Sequence, residues 1–155
     1  YKSLLNFRHA SIDDEDFVET LVNSLITSVI SMEYAGNSRS ASGSEHMLSH
    51  AADVVFNSNF LHGHQTGFYT CIVLKAYDAE LYEKVLELLC DLGFFNYLPE
   101  DLFDSGRFSE ILKIARTIRQ RYTILNTLDD KKLLEVFEDS VSEIRYAISH
   151  TDSRT

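Results

Sequence analysis

The sequence predicts an all-α protein, a helical bundle of six or seven helices. Three observations carry that expectation. Successive stretches place apolar residues three and four apart, the spacing of a single helix face. One proline and six glycines in 155 residues leave few interruptions. No hairpin dipeptide stands between alternating apolar residues, and no repeat period appears.

The first helix is expected over residues 16–35. Val18, Val22, Leu25, Val29 and Met32 form its inward face, and Asp13, Asp14, Glu15 and Asp16 lie where a helix dipole favours negative charge. Gly36 ends it. Residues 36–43 are the one loop rich in Gly, Ser and Asn. Ser42-Gly-Ser-Glu45 reads as a capping box, with Glu45 reaching back to the cap, opening a helix that runs to about residue 56. Asn57-Ser-Asn59 breaks it. The next helix starts at His62–Gly63 and runs to about residue 77. Another covers 78–92, with Leu81, Val85 and Leu88 inward and Gly93 as its stop. Pro99 suits the first position of a short helix. Residues 107–121 carry Phe108, Ile111, Leu112, Ala115 and Ile118 on one face. Residues 129–149 do the same with Leu133, Phe137, Val141, Ile144 and Ile148. Residues 1–150 are read as a single domain and 151–155 as a frayed polar tail.

A net charge of −10 gives no electrostatic footprint for nucleic acid or an anionic membrane surface. No apolar run approaches the roughly 20 residues of a membrane span, and no signal peptide is visible. Cys71 and Cys90 lie in apolar runs without a CxxC pattern, which reads as free buried thiols of an intracellular protein.

Four of the six histidines, His46, His50, His62 and His64, fall within nineteen residues. His9 and His150 stand apart and are expected to be solvated. His46 and His50 are four apart and share a helix face. Two antiparallel helices joined by a short turn would bring His46 to His62. Neutral imidazoles suit a borderline metal such as zinc, but two are too few for a tight site, so a third ligand must come from elsewhere. Spacing alone leaves a second reading open, that of surface or capping histidines. A protease-like HExxH pairing of His46 with His50 fails, because Met47 occupies the position of its glutamate base. The loop 37–44 also has two readings, a solvated connector or an anion-binding loop using helix-start amides, hydroxyls and Arg39.

Three stretches carry a family resemblance. GNSRSASGSEHMLSHAAD resembles the GxSRPASGSEHxxSHxxD signature of the sn-glycerol-1-phosphate dehydrogenases. LHGHQTGFYT resembles their LHGEQVGxGT helix, and Arg121-Tyr-Thr-Ile-Leu125 resembles an RYTIL segment that follows. These enzymes belong to the superfamily of iron-type alcohol dehydrogenases, glycerol dehydrogenases and 3-dehydroquinate synthases. The resemblance implies the C-terminal helical domain of the dehydroquinate-synthase-like fold. It implies that an N-terminal nucleotide-binding α/β domain, with its Gly-rich loop and an aspartate as third metal ligand, lies outside this chain.

Carried over residue by residue, it makes His46 and His62 metal ligands and His50 a catalytic residue facing the substrate. Ser38, Arg39, Ser42 and Ser44 become candidates for a phosphate contact. The implied cofactors are a divalent metal, zinc first and nickel or iron as alternatives, and NAD(P). The implied partners are the N-terminal domain, dihydroxyacetone phosphate and further copies of the full-length protein. The implied activity is the cytoplasmic reduction of dihydroxyacetone phosphate to sn-glycerol 1-phosphate for phospholipid biosynthesis, with the isolated chain inactive. A polyol dehydrogenase, a dehydroquinate-synthase-like enzyme and a non-catalytic helical module are the rival readings. Ser40 stands where the family has proline, His64 where it has glutamate and Thr66 where it has valine.

Overall fold

The computed structural model describes residues 6–7, 10–57, 60–119 and 122–151. These residues fold entirely into helices and turns, with seven α-helices among them. They are α1 (Glu15–Ala35), α2 (Ser44–Phe56), α3 (His62–Tyr77), α4 (Ala79–Asp91), α5 (Ser105–Ile118), α6 (Ile124–Thr127) and α7 (Asp130–Thr151). Short 3-10 turns occupy Ser38–Ser40, Phe94–Tyr97 and Glu100–Phe103.

The helix ends follow local chemistry. Asp14 caps α1 by accepting from the amides of Asp16 and Phe17, and Gly36 closes it in the left-handed region at φ 63°. Asp78 and Asp104 cap α4 and α5 in the same way. Helix α2 departs from its expected capping box. Its cap is Gly43 rather than Ser42, and no side chain caps it. The other half of the box forms, with the Gly43 amide donating to Glu45 Oε1 at 2.7 Å. Helix α5 stops at Ile118 rather than 121, and Arg119 turns extended. Arg121, Ser58, Asn59 and His9 lie outside the described residues, as does the expected tail from 152 onward. Thr151 is the last residue of α7.

The core gathers around α3, which packs against α2, α4 and α7, while α5 packs against α2 and α7. Ala51 and Ala52 of α2 are fully buried, so small side chains bring the α2 backbone close to its neighbours. At the centre the rings of Phe108 and Phe137 stack at 4.1 Å, and Phe68 meets Phe137 edge-on at 6.1 Å. On the far side of α3, Lys75 Nζ lies 2.6 Å from Glu143 Oε1. The Tyr82 hydroxyl donates to Glu143 Oε2 at 2.8 Å, so this cluster joins α3, α4 and α7. Burial pushes the Glu143 carboxyl up, but hydrogen bonds from Lys75 and Tyr82 and the Lys75 charge outweigh it and leave the group below its ordinary value.

Helix α1 corrects an expectation. The face expected to be buried is open: Val22 is 48% exposed, Leu25 59% and Val29 54%, Val18 is exposed, and Met32 is half-buried. Phe17 is the buried residue of this helix, packed edge-on against Phe7. The principal neighbour of α1 is the Ser38–Ser40 turn rather than the bundle. Periodicity reports that a helix has an apolar face; it does not report what covers the face. Among the described residues no helix is long and apolar enough to cross a membrane.

Phe137→Ala is expected to cost about 3–5 kcal/mol in urea unfolding, because it empties a stacked position in a packed core. Glu143 has a lower pKa folded than unfolded, so the unfolded chain binds more protons and stability rises with pH across that window. Unfolding midpoints measured as pH falls through 4.5 and below should drop for the wild type, and Glu143→Gln should flatten that slope.

Candidate functional site

The site is built where the first turn of α3 meets the first two turns of α2. The short turn between α2 and α3 is expected to bring His46 to His62, and His62 does lie against His46, Ser49 and His50. The ring centroids of His46 and His62 are 5.1 Å apart, and those of His50 and His62 are 5.6 Å apart and nearly stacked. Two imidazoles that hold one tetrahedral ion at about 2.0–2.1 Å have centroids roughly 5 to 5.5 Å apart, so the first pair fits a shared ion.

Each of these two rings is anchored through one nitrogen. His46 Nδ1 lies 2.7 Å from Glu45 Oε1, the oxygen that also accepts from the Gly43 amide. A Cβ at Gly43 would come within 2.8 Å of Glu45 Oε2, so glycine at the cap leaves room for that carboxylate. His62 Nδ1 lies 3.0 Å from Ser49 Oγ. Ser49 Oγ donates in a short hydrogen bond to Gln65 Oε1, and Gln65 Nε2 donates to Asp53 Oδ1 at 2.7 Å. Ser49 and Gln65 are fully buried. In both rings Nε2 is the nitrogen left for a ligand. This pattern, a ring nitrogen held by a carboxylate or hydroxyl, is the one that orients histidine ligands at metal centres. Among the described residues no group of three or more His, Cys, Asp or Glu side chains is placed to hold an ion unaided.

Desolvation lowers the His62 pKa from 6.5, and the charges of His46 and His50 lower it further, against an opposite effect of Asp53. A neutral imidazole is the ligating form. His64 points elsewhere, meeting the ring of Phe94 edge-on at 5.8 Å. The loss of glutamate at that position leaves the Ser49–Gln65–Asp53 support of His62 in place. Gly67 explains itself: a Cβ there would lie 2.4 Å from the Phe94 ring.

The loop residues divide. Ser38 and Arg39 are exposed, whereas Ser42 and Ser44 are buried. Arg119 Nη1 donates to Ser42 Oγ at 3.3 Å, a link from α5 across 77 positions of sequence that spacing could not reveal. Arg116 does similar work, donating to the carbonyls of Leu125 and Leu128 at 2.9 and 3.2 Å and so seating the segment 122–128. A groove of about 380 Å³ runs beside α1, lined by Leu21, Ser24, Leu25, Ser28, Ser31 and Ser40. The hydroxyls of Ser24 and Ser31 turn back onto carbonyls of their own helix. His150 is exposed, as expected, but stacks on Tyr146 at 4.0 Å. Cys71 is buried and Cys90 half-buried, both free, and burial pushes their thiols up to about 12 and about 11.

No family model matches the chain. Individual relatives do. The chain is 41% identical to glycerol-1-phosphate dehydrogenase (NAD(P)+) of Pyrococcus furiosus over 115 residues, which is 74% of this chain and 33% of that protein. The enzyme of the same description from Thermococcus kodakarensis is 39% identical over 115 residues, 74% of this chain and 32% of its own length. That of Methanococcus vannielii is 38% identical over 140 residues, 83% of this chain and 42% of its own length. The chain thus spans about a third to two fifths of the curated relatives it matches.

The His62 imidazole should titrate in metal-free protein with an NMR midpoint below 6.5. His46→Ala should raise that midpoint by removing a neighbouring charge. Asp53→Asn should lower it. Because the unfolded chain binds the His62 proton more readily, its contribution to stability is present at neutral pH and fades as pH falls below 6.5.

Proposed function

For a chain that is glycerol-1-phosphate-dehydrogenase-like over three quarters of its length, we propose the role of metal- and substrate-binding helical domain in an NAD(P)-dependent dehydrogenase that reduces dihydroxyacetone phosphate to sn-glycerol 1-phosphate. The observation that carries this reading is the His46–His62 pair, 5.1 Å apart with each Nδ1 anchored.

In this reading residues 1–150 form one domain, and His46 and His62 hold a divalent ion, zinc before nickel or iron, through Nε2. The remaining ligand is an aspartate in the part of the relatives' length that the chain does not span, together with the nucleotide-binding domain. When bound, the ion would supply Lewis acidity to a carbonyl oxygen. Glu45 and Ser49 keep the two rings oriented toward it. His50, stacked beside His62, would hydrogen-bond a substrate oxygen and pass it a proton. Bound NAD(P) would supply the hydride. Arg39 and Ser38, exposed on the turn before α2, are the residues of this loop open to a phosphate. Buried Ser42 and Ser44 would instead shape the loop.

The test is NADH oxidation by the full-length protein with dihydroxyacetone phosphate, before and after chelation. The expected result is activity lost on chelation and restored by zinc, with His46→Ala and His62→Ala inactive and His50→Ala reduced by about 10²–10⁴-fold in kcat. Activity that survives metal removal overturns the mechanism. Turnover of a polyol or a cyclisable phosphate in place of dihydroxyacetone phosphate overturns the substrate assignment. Absence of any turnover with metal bound favours a non-catalytic module.

A further inference from the structure

We propose that Ser49, Gln65 and Asp53 form a directional relay that fixes His62 in its Nδ1–H tautomer, with the Nε2 lone pair turned toward the site. The direction is set at the far end of the relay, at Asp53. A carboxylate accepts hydrogen bonds and donates none. Asp53 Oδ1, 2.7 Å from Gln65, therefore takes a proton from the Gln65 amide nitrogen. That sets the amide: its oxygen must face the other way, toward Ser49. A carbonyl oxygen also only accepts, so the Ser49 hydroxyl proton goes to Gln65 Oε1. Ser49 Oγ, its one proton committed, can meet His62 Nδ1 at 3.0 Å only as an acceptor. The proton of that contact belongs to His62 Nδ1. In a neutral imidazole the other nitrogen is then unprotonated.

Burial gives the relay its direction. Ser49 and Gln65 are fully buried, so no solvent molecule competes for their single available arrangement. An exposed serine can rotate its hydroxyl and serve either tautomer; this one cannot. Three residues spread over α2 and α3 thus turn one negative charge at Asp53 into a choice of tautomer three hydrogen bonds away. His46 reaches the same state by a shorter route, its Nδ1 facing the carboxylate of Glu45 directly. The two histidines that the proposed function makes metal ligands are in this way presented alike. None of the three relay residues touches the ion or the substrate; all are positioning residues.

The tautomer stands on the hydrogen bonds alone, whereas its consequence for metal affinity rests on the proposed function. The test uses full-length protein labelled with ¹⁵N-histidine. Long-range ¹H–¹⁵N correlation of the metal-free form reads which His62 nitrogen carries the proton, and chelator competition reads the zinc Kd.

Asp53→Asn is the decisive variant. It is close to isosteric and can keep every hydrogen bond, but its amide both donates and accepts, so the relay loses its direction. The expected result is an Nδ1–H signature in the wild type and a mixture of tautomers in Asp53→Asn. Zinc affinity should fall about 10–100-fold, the cost typical of outer-shell changes. Ser49→Ala, which cuts the relay, should give the same mixture and a similar loss. A wild-type His62 protonated on Nε2, or an unchanged tautomer in folded Asp53→Asn and Ser49→Ala, overturns the proposal. The expected tautomers in a protein that binds no zinc support the relay and overturn the metal reading.

Discussion

The buried hydrogen bond between Ser49 and Gln65 is the contact on which the site depends. It joins α2 to α3 in an interior where neither side chain reaches water. An unpaired polar group at such depth costs about 1–3 kcal/mol, so each residue of the pair is tolerated only while the other is present. The bond therefore specifies a register. With Ser49 held to Gln65, His62 falls at the first turn of α2 beside His46, and His50 lies over it one turn later. Ala51 and Ala52 permit the close approach that the bond requires.

Around that contact the molecule separates stability from function. The packed rings of Phe68, Phe108 and Phe137 and the Lys75–Glu143–Tyr82 cluster tie α3 to α4, α5 and α7. They hold α3 rigid without entering the histidine cluster. The site edge of α3 is then free to carry an exposed His62 at its first residue. On α2 the helix start is arranged around Glu45, whose carboxylate satisfies the Gly43 amide and anchors His46 at once. A single side chain takes the Gly43 amide proton at the helix start and orients a candidate ligand.

Much of this was legible in the sequence, for reasons that differ by element. The amphipathic spacing of α4, α5 and α7 and the stops at Gly36 and Gly93 express local rules, and they appear as expected. The SGSEH stretch and the LHGHQTGFYT helix pointed to His46 and His62, and the structure brings these two together. The contact of His62 with Ser49 was not legible, because no local rule says which side chain its Nδ1 meets. The relay through Gln65 was hidden for the same reason: its partners lie 12 to 16 positions away, and a lone glutamine in a helix carries no signal. Arg119 on Ser42 is a tertiary contact of the same kind. Helix α1 failed in the opposite direction. Its periodicity was read correctly as an apolar face and wrongly as a face covered by this bundle.

On the proposed function, the packing of α2 against α3 presents His46 and His62, and no third ligand from the described residues, to one divalent ion. X-ray absorption at the zinc edge of the full-length protein tests it most directly. The account predicts a first shell of two histidine nitrogens at about 2.0–2.1 Å completed by oxygen, falling to one histidine in His62→Ala. A shell containing sulfur, or one with no more than a single histidine in the wild type, would contradict it.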